Sequence, residues 1–317
     1  MRALVTGGAG FIGSTLVDRL LAEGHAVDVV DDLSSGSLAN LAAARGSSGE
    51  MTFHQLDIRG PELGELTMRR RPEVIFHLAA QTSVVASVAA PLRDADVNIL
   101  GSLRVLDAAR KARVRKVVFA ASGGSLYGDV DPSELPVNEH HRHDPQSPYG
   151  VSKRVVIEYL TLYRQLFDLE FTALALSNVY GPRQDSSGEG GVVAIFAANL
   201  IAGATCRIYG NGEQTRDFVF VDDVVDAFSR AADRGSGLVL NIGTGQETSV
   251  NTLYAALARS AGVVRAARHE APRPGELERS ALDPGRSAIH LGWKPWTSLD
   301  DGVVAVLSSM RDGQERR

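Results

Sequence analysis

A glycine-rich turn directly after the first apolar run of the chain limits the fold more than any other feature. The run 3–6 has β-type residues, the turn holds Gly7, Gly10 and Gly13, and an amphipathic helical pattern covers 11–23. Gly7 allows a tight turn, Gly10 lets backbone amides approach a pyrophosphate, and Gly13 lets the helix pack closely on the strand. Because strand, turn and helix follow one another as such a site requires, the pattern predicts a dinucleotide-binding chain.

Asp31, at the end of the second apolar run, indicates which dinucleotide is bound. An acid at that place accepts hydrogen bonds from the adenosine ribose hydroxyls. A carboxylate would repel a 2′-phosphate, and so the predicted cofactor is NAD rather than NADP.

Short β-rich runs alternate with helical patterns in the first half of the chain. The predicted strands are Ala3–Thr6, Ala26–Asp31, Met51–Asp57, Val74–Leu78, Lys116–Ala121 and Phe171–Ser177. The predicted helices cover 11–23, 62–70, 92–112 and 148–168. This alternation is typical of βαβ units, and the predicted fold class is therefore α/β, a Rossmann doubly wound parallel sheet with its ligands at the carboxyl ends of the strands.

The pattern changes near residue 178, after which the elements are shorter and separated by Gly, Ser, Pro and Asn. We therefore predict an NAD-binding domain at 1–177 and a smaller α/β substrate-binding domain at 178–317. A return of the chain between the two domains is expected near 215–245.

The charge balance and the cysteine content exclude several classes of protein. The 317-residue chain has a formal net charge of −5, whereas a nucleic-acid-binding protein normally carries a basic excess. Cys206 is its only cysteine, which excludes an intramolecular disulfide and a multi-cysteine zinc site. The histidine-rich stretch 139–144 lies between prolines and contains an arginine, so we interpret it as a solvated loop and predict no metal site. No stretch has the pattern of a signal peptide or a membrane span, and the expected location is the cytoplasm.

The segment Ser147-Pro148-Tyr149-Gly150-Val151-Ser152-Lys153 carries the strongest catalytic signal. Ser147 is a good N-cap and Pro148 a good first helical residue, which puts Tyr149 in the first turn of a helix. Lys153 follows four residues later, over the same face. A tyrosine acts as a base at neutral pH only if its pKa falls by about three units, which requires roughly 4 kcal/mol. A neighbouring ammonium, the positive helix terminus and a bound NAD⁺ are expected to supply it jointly.

Further motifs along most of the chain carry a resemblance to a known family. They are Asp31-Asp32-Leu33-Ser34-Ser35-Gly36, His77-Leu78-Ala79-Ala80-Gln81, Asn98, Ser122-Gly123-Gly124-Ser125-Leu126-Tyr127-Gly128, Asn178-Val179-Tyr180-Gly181-Pro182-Arg183, Arg216-Asp217-Phe218 and Arg273-Pro274-Gly275-Glu276. With the glycine turn and the Tyr149 segment, they make the chain resemble the extended short-chain dehydrogenases/reductases of the NAD-dependent epimerase/dehydratase family. Within that family it is most similar to the UDP-glucose (UDP-galactose) 4-epimerases.

The resemblance implies two sets of binding residues. The implied cofactor-binding residues are Gly7, Gly10, Phe11, Ile12, Gly13, Asp31, Asp32, Leu33, Ser34, Gly36, Asp57, Ile58, Leu78, Ala79, Ala80, Gln81, Asn98, Ser122, Tyr149 and Lys153. The implied substrate-binding residues are Ser83, Ser125, Asn178, Arg183, Val193, Tyr209, Arg216, Arg273, Glu276 and Ser280. Arginines suit a diphosphate because they form paired charge-assisted hydrogen bonds with it.

The resemblance also implies a reaction at the sugar C4 carbon. Tyr149 would take the proton from the 4-hydroxyl of a UDP-sugar while C4 is transiently oxidised, and Lys153 would hold the nicotinamide ribose and lower the Tyr149 pKa. The family's third catalytic residue, a Ser or Thr, falls on Gly123 here. Ser122, Ser125 or a water molecule is therefore expected to supply the missing hydroxyl, and both serines are candidate catalytic residues.

Other reactions of this family use further acids. A related 4,6-dehydratase would carry an Asp-Glu pair at Gly124-Ser125, and a decarboxylase would carry Glu at Ser125. Neither acid is present, and so 4-epimerisation is predicted. A UDP-glucuronate 4-epimerase stays open, because Arg183 could meet a C6 carboxylate. An idle NAD-binding sensor protein is the alternative outside the enzymes, although the chain keeps the tyrosine and lysine that such relatives often lose.

Two further expectations concern the substrate and the assembly. Family members that exclude a 2-acetamido group have a bulky tyrosine where this chain has Ser280, and so UDP-GlcNAc and UDP-GalNAc are expected to enter alongside UDP-Glc and UDP-Gal. The stretches 92–112 and 148–168 are apolar on more than one face. A helix that covers a sheet needs one apolar stripe, and the surplus predicts a homodimer formed through these helices.

Overall fold

The computed structural model describes residues 1–186, 191–272 and 277–315, with side chains described to residue 312. The strands are β1 (Arg2–Thr6), β2 (Ala26–Asp31), β3 (Met51–Gln55), β4 (Val74–His77), β5 (Lys116–Ser122), β6 (Glu170–Leu176), β7 (Asn178–Tyr180), β8 (Arg207–Tyr209), β9 (Thr215–Arg216), β10 (Phe218–Phe220), β11 (Leu238–Ile242), β12 (Thr248–Ser249) and β13 (Arg268–Glu270). The helices are α1 (Phe11–Ala22), α2 (Ala42–Gly46), α3 (Glu62–Arg70), α4 (Val84–Ala89), α5 (Pro91–Ala95), α6 (Ser102–Lys111), α7 (Gly123–Leu126), α8 (Pro148–Phe167), α9 (Val192–Ile201), α10 (Val221–Ala231), α11 (Val250–Ala261), α12 (Gly285–Leu291) and α13 (Leu299–Glu315). Short 3₁₀ turns lie at Leu38–Leu41 and Pro132–Glu134.

Within the described residues, the central sheet has seven parallel strands in the order β3-β2-β1-β4-β5-β6-β11. The chain builds outward from β1 in one direction, returns to β4, and continues in the other direction. The order therefore reverses between β1 and β4, where the connections diverge and open a crevice at the carboxyl ends of the strands. This architecture confirms the predicted Rossmann fold.

Residues of the strands alternate between two hydrophobic clusters, one on each face of the sheet. On β1, Val5 belongs to one cluster and Leu4 to the other, and on β4 Phe76 and Ile75 divide in the same way. Helices α1, α9, α11 and α13 contribute to the first cluster, and helices α3, α6 and α8 to the second. Because both faces are covered, the strands are apolar along their whole length, which explains the continuous apolar runs in the sequence.

The predicted helix 92–112 is interrupted by a wide turn. The π-helical turn Asp96–Gly101 separates α5 from α6. Inside it, the Asn98 side chain accepts the backbone N–H of Gln81 at 2.8 Å and donates to the Gln81 carbonyl at 2.9 Å. Single π-helical turns of this kind are frequently found at functional sites. The interruption therefore joins the helix to the segment that follows β4.

After β6 the chain leaves the sheet and then returns to it. Strand β11 pairs with β6, and α10 packs on α1. The small pairs β8–β13 and β9–β12 lie outside the main sheet. The division of the chain at residue 177 stays a prediction. None of the described helices has the length and apolar character needed to span a membrane.

Candidate active site

The glycine-rich turn lies against the end of β4, at the crevice where the strand order reverses. Gly7 has φ +70°, a conformation that favours glycine, and a Cβ there would lie 2.6 Å from the backbone N of Ala79. A Cβ on Gly13 would overlap the carbonyl oxygen of Gly7, and so α1 packs directly on the turn. Gly10 precedes α1 without a side-chain cap, which leaves the amides of the first helical turn to bind an anion such as a pyrophosphate.

Asp31 ends β2 with its carboxylate buried beside this turn. One oxygen accepts the N–H of Ala9 and the other the N–H of Leu33, each at 2.9 Å. Burial raises the pKa of Asp31, and the two amides oppose that rise. Each oxygen keeps a lone pair for a ribose hydroxyl, and the carboxylate would repel a 2′-phosphate. Glycine cradle, uncapped helix and acid together fit NAD.

Other residues predicted to bind the cofactor follow strands β2 and β3, and some of them already form hydrogen bonds within the protein. Asp32 accepts the N–H of Ser34 at 2.9 Å, and a Cβ on Gly36 would lie 2.7 Å from an Asp31 oxygen. Asp57 is bound by Arg59, whose Nε lies 3.0 Å from both carboxylate oxygens. The predicted contact of Asp57 with the adenine stays a prediction. The remaining predicted positions stand at the start of α1, after β2, after β3 and after β4: Phe11, Ile12, Leu33, Ile58, Leu78, Ala80 and Gln81.

Helix α8 begins as predicted and carries the tyrosine–lysine pair. The hydroxyl of Ser147 accepts a backbone N–H at 3.2 Å, and Pro148 is the first helical residue. Lys153 Nζ lies 5.6 Å from the centre of the Tyr149 ring and donates to the carbonyl of Ala120 at 2.9 Å. Both side chains are buried, and so their charges interact in a medium of low polarity.

Burial is the main influence on the protonation of the pair in the protein itself. Burial raises the pKa of Tyr149 to about 12, although a hydrogen bond with Ser122 lowers it. Burial also lowers the pKa of Lys153 to about 8. The fall of the tyrosine pKa expected from the sequence includes the charge of bound NAD⁺, and it stays a prediction. In the protein itself, loss of hydration disfavours the phenolate more than its surroundings stabilise it. Without further positive charge, Tyr149 therefore rests as a neutral phenol.

A chain of hydroxyls leads away from Tyr149. Ser122 is hydrogen-bonded to Tyr149 and donates to Ser125 Oγ at 3.2 Å. Gly123, where the family has Ser or Thr, faces Leu282, and a Cβ on Gly123 would overlap the Leu282 Cδ1. Leu282 is only 1% exposed. Of the predicted hydroxyl sources, the structure therefore brings Ser122 to Tyr149, with Ser125 next to it.

Asp217 ties together the segments of Asn178, Thr244 and Leu282, which border the site. Its buried carboxylate accepts the N–H of Thr244 at 2.8 Å and the N–H groups of Gly245 and Leu282 at 3.1 Å. Its backbone carbonyl accepts the N–H of Asn178 at 2.9 Å. Burial raises the pKa of Asp217, while these hydrogen bonds lower it. Through its side chain and its backbone carbonyl, Asp217 thus fixes these segments relative to one another.

Two predicted substrate residues stand on these segments. Arg216 ends β9 and donates to the Thr215 carbonyl at 2.7 Å. Ser280 lies two residues before Leu282, and a Cβ on Gly124 would stand 3.8 Å from its hydroxyl. Small residues therefore face each other beside the hydroxyl chain.

Arg183 is placed against α1. Its guanidinium donates to Asp18 at 2.6 Å and to the Ser14 hydroxyl at 3.2 Å. The sequence-based expectation was that this guanidinium meets the C6 carboxylate of a sugar. That role of Arg183 stays a prediction.

The other predicted substrate residues are scattered or not described. Val193 is buried in the first hydrophobic cluster, and Ser83 caps α4 by accepting the N–H of Ala86 at 2.9 Å. Tyr209 ends β8. Arg273 and Glu276 lie outside the described residues.

Three residues of this region were missed from the sequence: Asp94, Asp217 and Leu282. All three are buried, and their partners lie far away in sequence, except Asn98, which bonds to Asp94 from four positions away. No local signal distinguished Asp94, because the stretch 92–112 contains other acids, Asp96 and Asp107. In the histidine-rich loop, His143 packs on the edge of the Tyr127 ring. Among the described residues, no group of three or more His, Cys, Asp or Glu could hold a metal ion.

The arrangement defines a class of protein. A dinucleotide-binding turn and a buried tyrosine–lysine pair meet at the carboxyl edge of a doubly wound sheet, as in NAD-dependent enzymes of the short-chain dehydrogenase/reductase type.

Comparison with known proteins narrows the class. Residues 3–243 match the NAD dependent epimerase/dehydratase family. A UDP-glucose 4-epimerase of Mycolicibacterium smegmatis is 50% identical over 313 residues, which cover 98% of this chain and 99% of that protein. The UDP-glucose 4-epimerase of Thermotoga maritima, solved with UDP-glucose, superposes with a TM-score of 0.95 at 42% identity and covers 99% of this chain and 100% of its own. The Thermus thermophilus UDP-glucose 4-epimerase, solved with NAD, superposes with a TM-score of 0.90 at 39% identity over 98% and 99% of the two chains.

The chain belongs to the NAD-dependent epimerase/dehydratase family. It is an enzyme of the isomerase class, and its cofactor is NAD, as the glycine turn and Asp31 predicted. The idle-sensor interpretation is therefore set aside.

Proposed function

We propose that the chain interconverts C4 epimers of UDP-sugars: UDP-glucose with UDP-galactose, and UDP-N-acetylglucosamine with UDP-N-acetylgalactosamine. The observation that supports this most is the hydroxyl chain from Tyr149 through Ser122 to Ser125, beside Lys153. It stands in a chain 50% identical to a UDP-glucose 4-epimerase.

In this proposal, side chains of the protein remove and return the proton of the sugar 4-hydroxyl. Bound NAD supplies the hydride acceptor and the hydride donor for the sugar C4 carbon. Tyr149 takes the proton from the 4-hydroxyl and later returns it. Ser122, which is hydrogen-bonded to Tyr149, orients the phenol oxygen relative to the oxygen of the sugar 4-hydroxyl. The Lys153 ammonium stabilises the negative phenolate, and the buried setting strengthens that attraction.

Between the two half-reactions the sugar must rotate so that its other face is presented to the cofactor, while its UDP stays bound. Asn178 and Arg216, with Arg273 and Glu276 as predicted from the sequence, hold the UDP in this proposal. The sugar end is bordered by the small residues Gly124 and Ser280, which leave room for the turn and for a 2-acetamido group.

The alternative reactions have less support. Elimination of water needs an acid and a base beyond the tyrosine, and residues 124 and 125 are Gly and Ser. A glucuronate substrate needs a cation for its carboxylate, whereas the Arg183 guanidinium binds Asp18 and Ser14.

We also propose that the protein is a homodimer. Helices α5 and α8 and the π-helical turn pack side by side. Their inner residues are buried, but their outer face exposes large apolar side chains: Leu92, Leu100, Val151, Leu162, Leu166 and Phe167. An apolar face of this kind is typical of a contact between subunits.

The test is turnover of separate nucleotide sugars by the purified protein with added NAD⁺, resolved by chromatography. UDP-galactose and UDP-N-acetylgalactosamine should each give their C4 epimers, with no net NADH formed. Tyr149→Phe should lower the rate by about 10²–10⁴-fold, while Tyr163→Phe, on the same helix, should leave it unchanged. A 4-keto-6-deoxy sugar or a pentose as product would refute the proposal, as would turnover of UDP-glucuronate alone.

A further inference from the structure

Asp94 is a buried carboxylate for which the proposed reaction gives no role. The residue is 1% exposed in α5. One oxygen accepts from Asn98 Nδ2 at 2.9 Å and from Gln81 Nε2 at 3.0 Å, and the other accepts from Ser152 Oγ at 2.5 Å. These donors are neutral. Burying a carboxylate costs free energy that neutral donors only partly offset, so a charge kept here calls for a reason.

The donors come from the elements that build the active site. Gln81 follows β4 on the side of the glycine turn, and Asn98 lies in the π-helical turn. Ser152 stands in α8 directly before Lys153 and three residues after Tyr149. One carboxylate therefore ties the helix of the tyrosine–lysine pair to the cofactor crevice.

The negative charge of Asp94 also acts on both Tyr149 and Lys153. Of the charged groups in the described residues, Asp94 is the one whose charge raises the pKa of both Tyr149 and Lys153, against the effect of burial on the lysine. His77 is the other titratable group near Lys153, and burial lowers its pKa to about 3 and keeps it neutral. Asp94 is thus the negative charge that acts on the Lys153 ammonium, from beyond the distance of a direct ion pair.

We propose that Asp94 is a positioning residue for the Tyr149–Lys153 pair, holding α8 through Ser152 and keeping the buried lysine ammonium in place by its charge. This inference rests on the proposed function, because it concerns the same proton transfer. It predicts that removal of the charge moves the protonation of the pair, whereas removal of the Ser152 bond alone does not.

The chain suits a direct measurement, because it has only four lysines: Lys111, Lys116, Lys153 and Lys294. Lysine labelled with ¹³C gives a Cε signal for each, and Lys153→Met assigns the one of interest. In Asp94→Asn, the titration midpoint of Lys153 should fall by about one pH unit. Lys116, whose pKa burial lowers to about 8 and which donates to the Arg234 carbonyl, is the internal control and should not move.

Kinetics give the second readout. Loss of a nearby negative charge lowers both pKa values, so the kcat–pH profile of Asp94→Asn should move to lower pH. The size of that move should match the fall of the Lys153 midpoint, about one pH unit. Ser152→Ala should lower kcat at every pH and leave the profile and the Lys153 midpoint in place.

An unchanged Lys153 midpoint in Asp94→Asn overturns the proposal, as does an unchanged kcat in Ser152→Ala. Should Asp94→Asn fail to fold, Ser152→Ala decides through its kcat whether Asp94 positions α8. The NMR titration does not depend on turnover. If the unmodified protein epimerises no UDP-sugar, the proposed function fails, while the Lys153 midpoint still decides the role of Asp94.

Discussion

Gly123 and Leu282 fit each other so closely that one side chain excludes the other. The Leu282 side chain occupies the place where a Cβ on Gly123 would lie. We expect Gly123→Ser to be destabilised by about 1–3 kcal/mol, because overpacking a filled interior displaces its neighbours. Adding Leu282→Ala should recover part of that loss by making room. Urea unfolding of the three proteins measures this, and a Gly123→Ser variant as stable as the unmodified protein would contradict it.

Ser280 lies where it can decide which sugars enter. Its hydroxyl is in van der Waals reach of a group on Gly124, beside the hydroxyl chain. Ser280→Tyr should fill that space and abolish turnover of UDP-N-acetylgalactosamine, while UDP-galactose is still converted. Rates on the two substrates measure the effect, with Ser280→Ala as the control that keeps the space open. Equal losses on both sugars would disprove the assignment.

Among single residues, those that belong to a local sequence motif could be identified from the sequence. Residues whose bonding partners are distant in sequence were missed. Asp31, Tyr149 and Lys153 stand in local patterns, and the structure places each at the crevice. Asp217 bonds to Leu282, 65 positions further along the chain, and no local pattern links the two. The contribution of burial to the Tyr149 pKa was not foreseen either, because burial is a property of the whole fold.

At the scale of elements, strand β4 ends in a histidine that gives stability a pH dependence. His77 is enclosed between the hydroxyls of Thr6 at 2.7 Å and Ser102 at 2.8 Å. Burial lowers its pKa to about 3 in the folded protein, against 6.5 for an ordinary histidine. Below about pH 6 the unfolded chain therefore binds a proton that the folded protein does not. From this group alone, the free energy of unfolding should fall by ~1.4 kcal/mol per pH unit between about pH 6 and 4.

His77→Gln tests this assignment, because it removes the titration and keeps a hydrogen-bonding side chain. The variant should be less stable at pH 7, yet its unfolding free energy should decline less steeply with acid. Urea unfolding at pH 7, 6, 5 and 4 gives both slopes. Identical slopes would show that His77 is not the group responsible.

The helices and strands themselves were largely predictable, since apolar periodicity and caps are local properties. The starts of α1, α3 and α8 lie where the sequence placed them. The π-helical turn inside 92–112 was not foreseen. Its apolar pattern is helical, and the interruption depends on the contact of Asn98 with Gln81 across the crevice.

At the scale of the whole molecule, the exposed apolar face of α5, the π-helical turn and α8 predicts association. Leu100→Glu combined with Leu166→Glu should convert the dimer to a monomer, because each buries a charge in the contact. Val264→Glu, at an exposed position after α11, is the control and should remain dimeric. Light scattering after size exclusion measures the mass. An unmodified protein that is monomeric at all concentrations would refute the dimer.

The overall architecture followed from the alternation of strands and helices, which leaves few topologies once parallel crossovers are right-handed. The return of the chain to the sheet could only be placed loosely. A strand such as β11, five residues long, resembles any short apolar run until its neighbour β6 is known.

Strand β11 is synthesised long after β6, the strand with which it pairs, and this order has a consequence for folding on the ribosome. The outer edge of β6 has no partner until residues 238–242 have been made, some sixty residues after β6 itself. An unpaired apolar edge is a template for unwanted pairing with other chains. A nascent chain stalled or cleaved in that interval should therefore be an aggregating species, and a shortened gene that ends before β11 should yield insoluble protein.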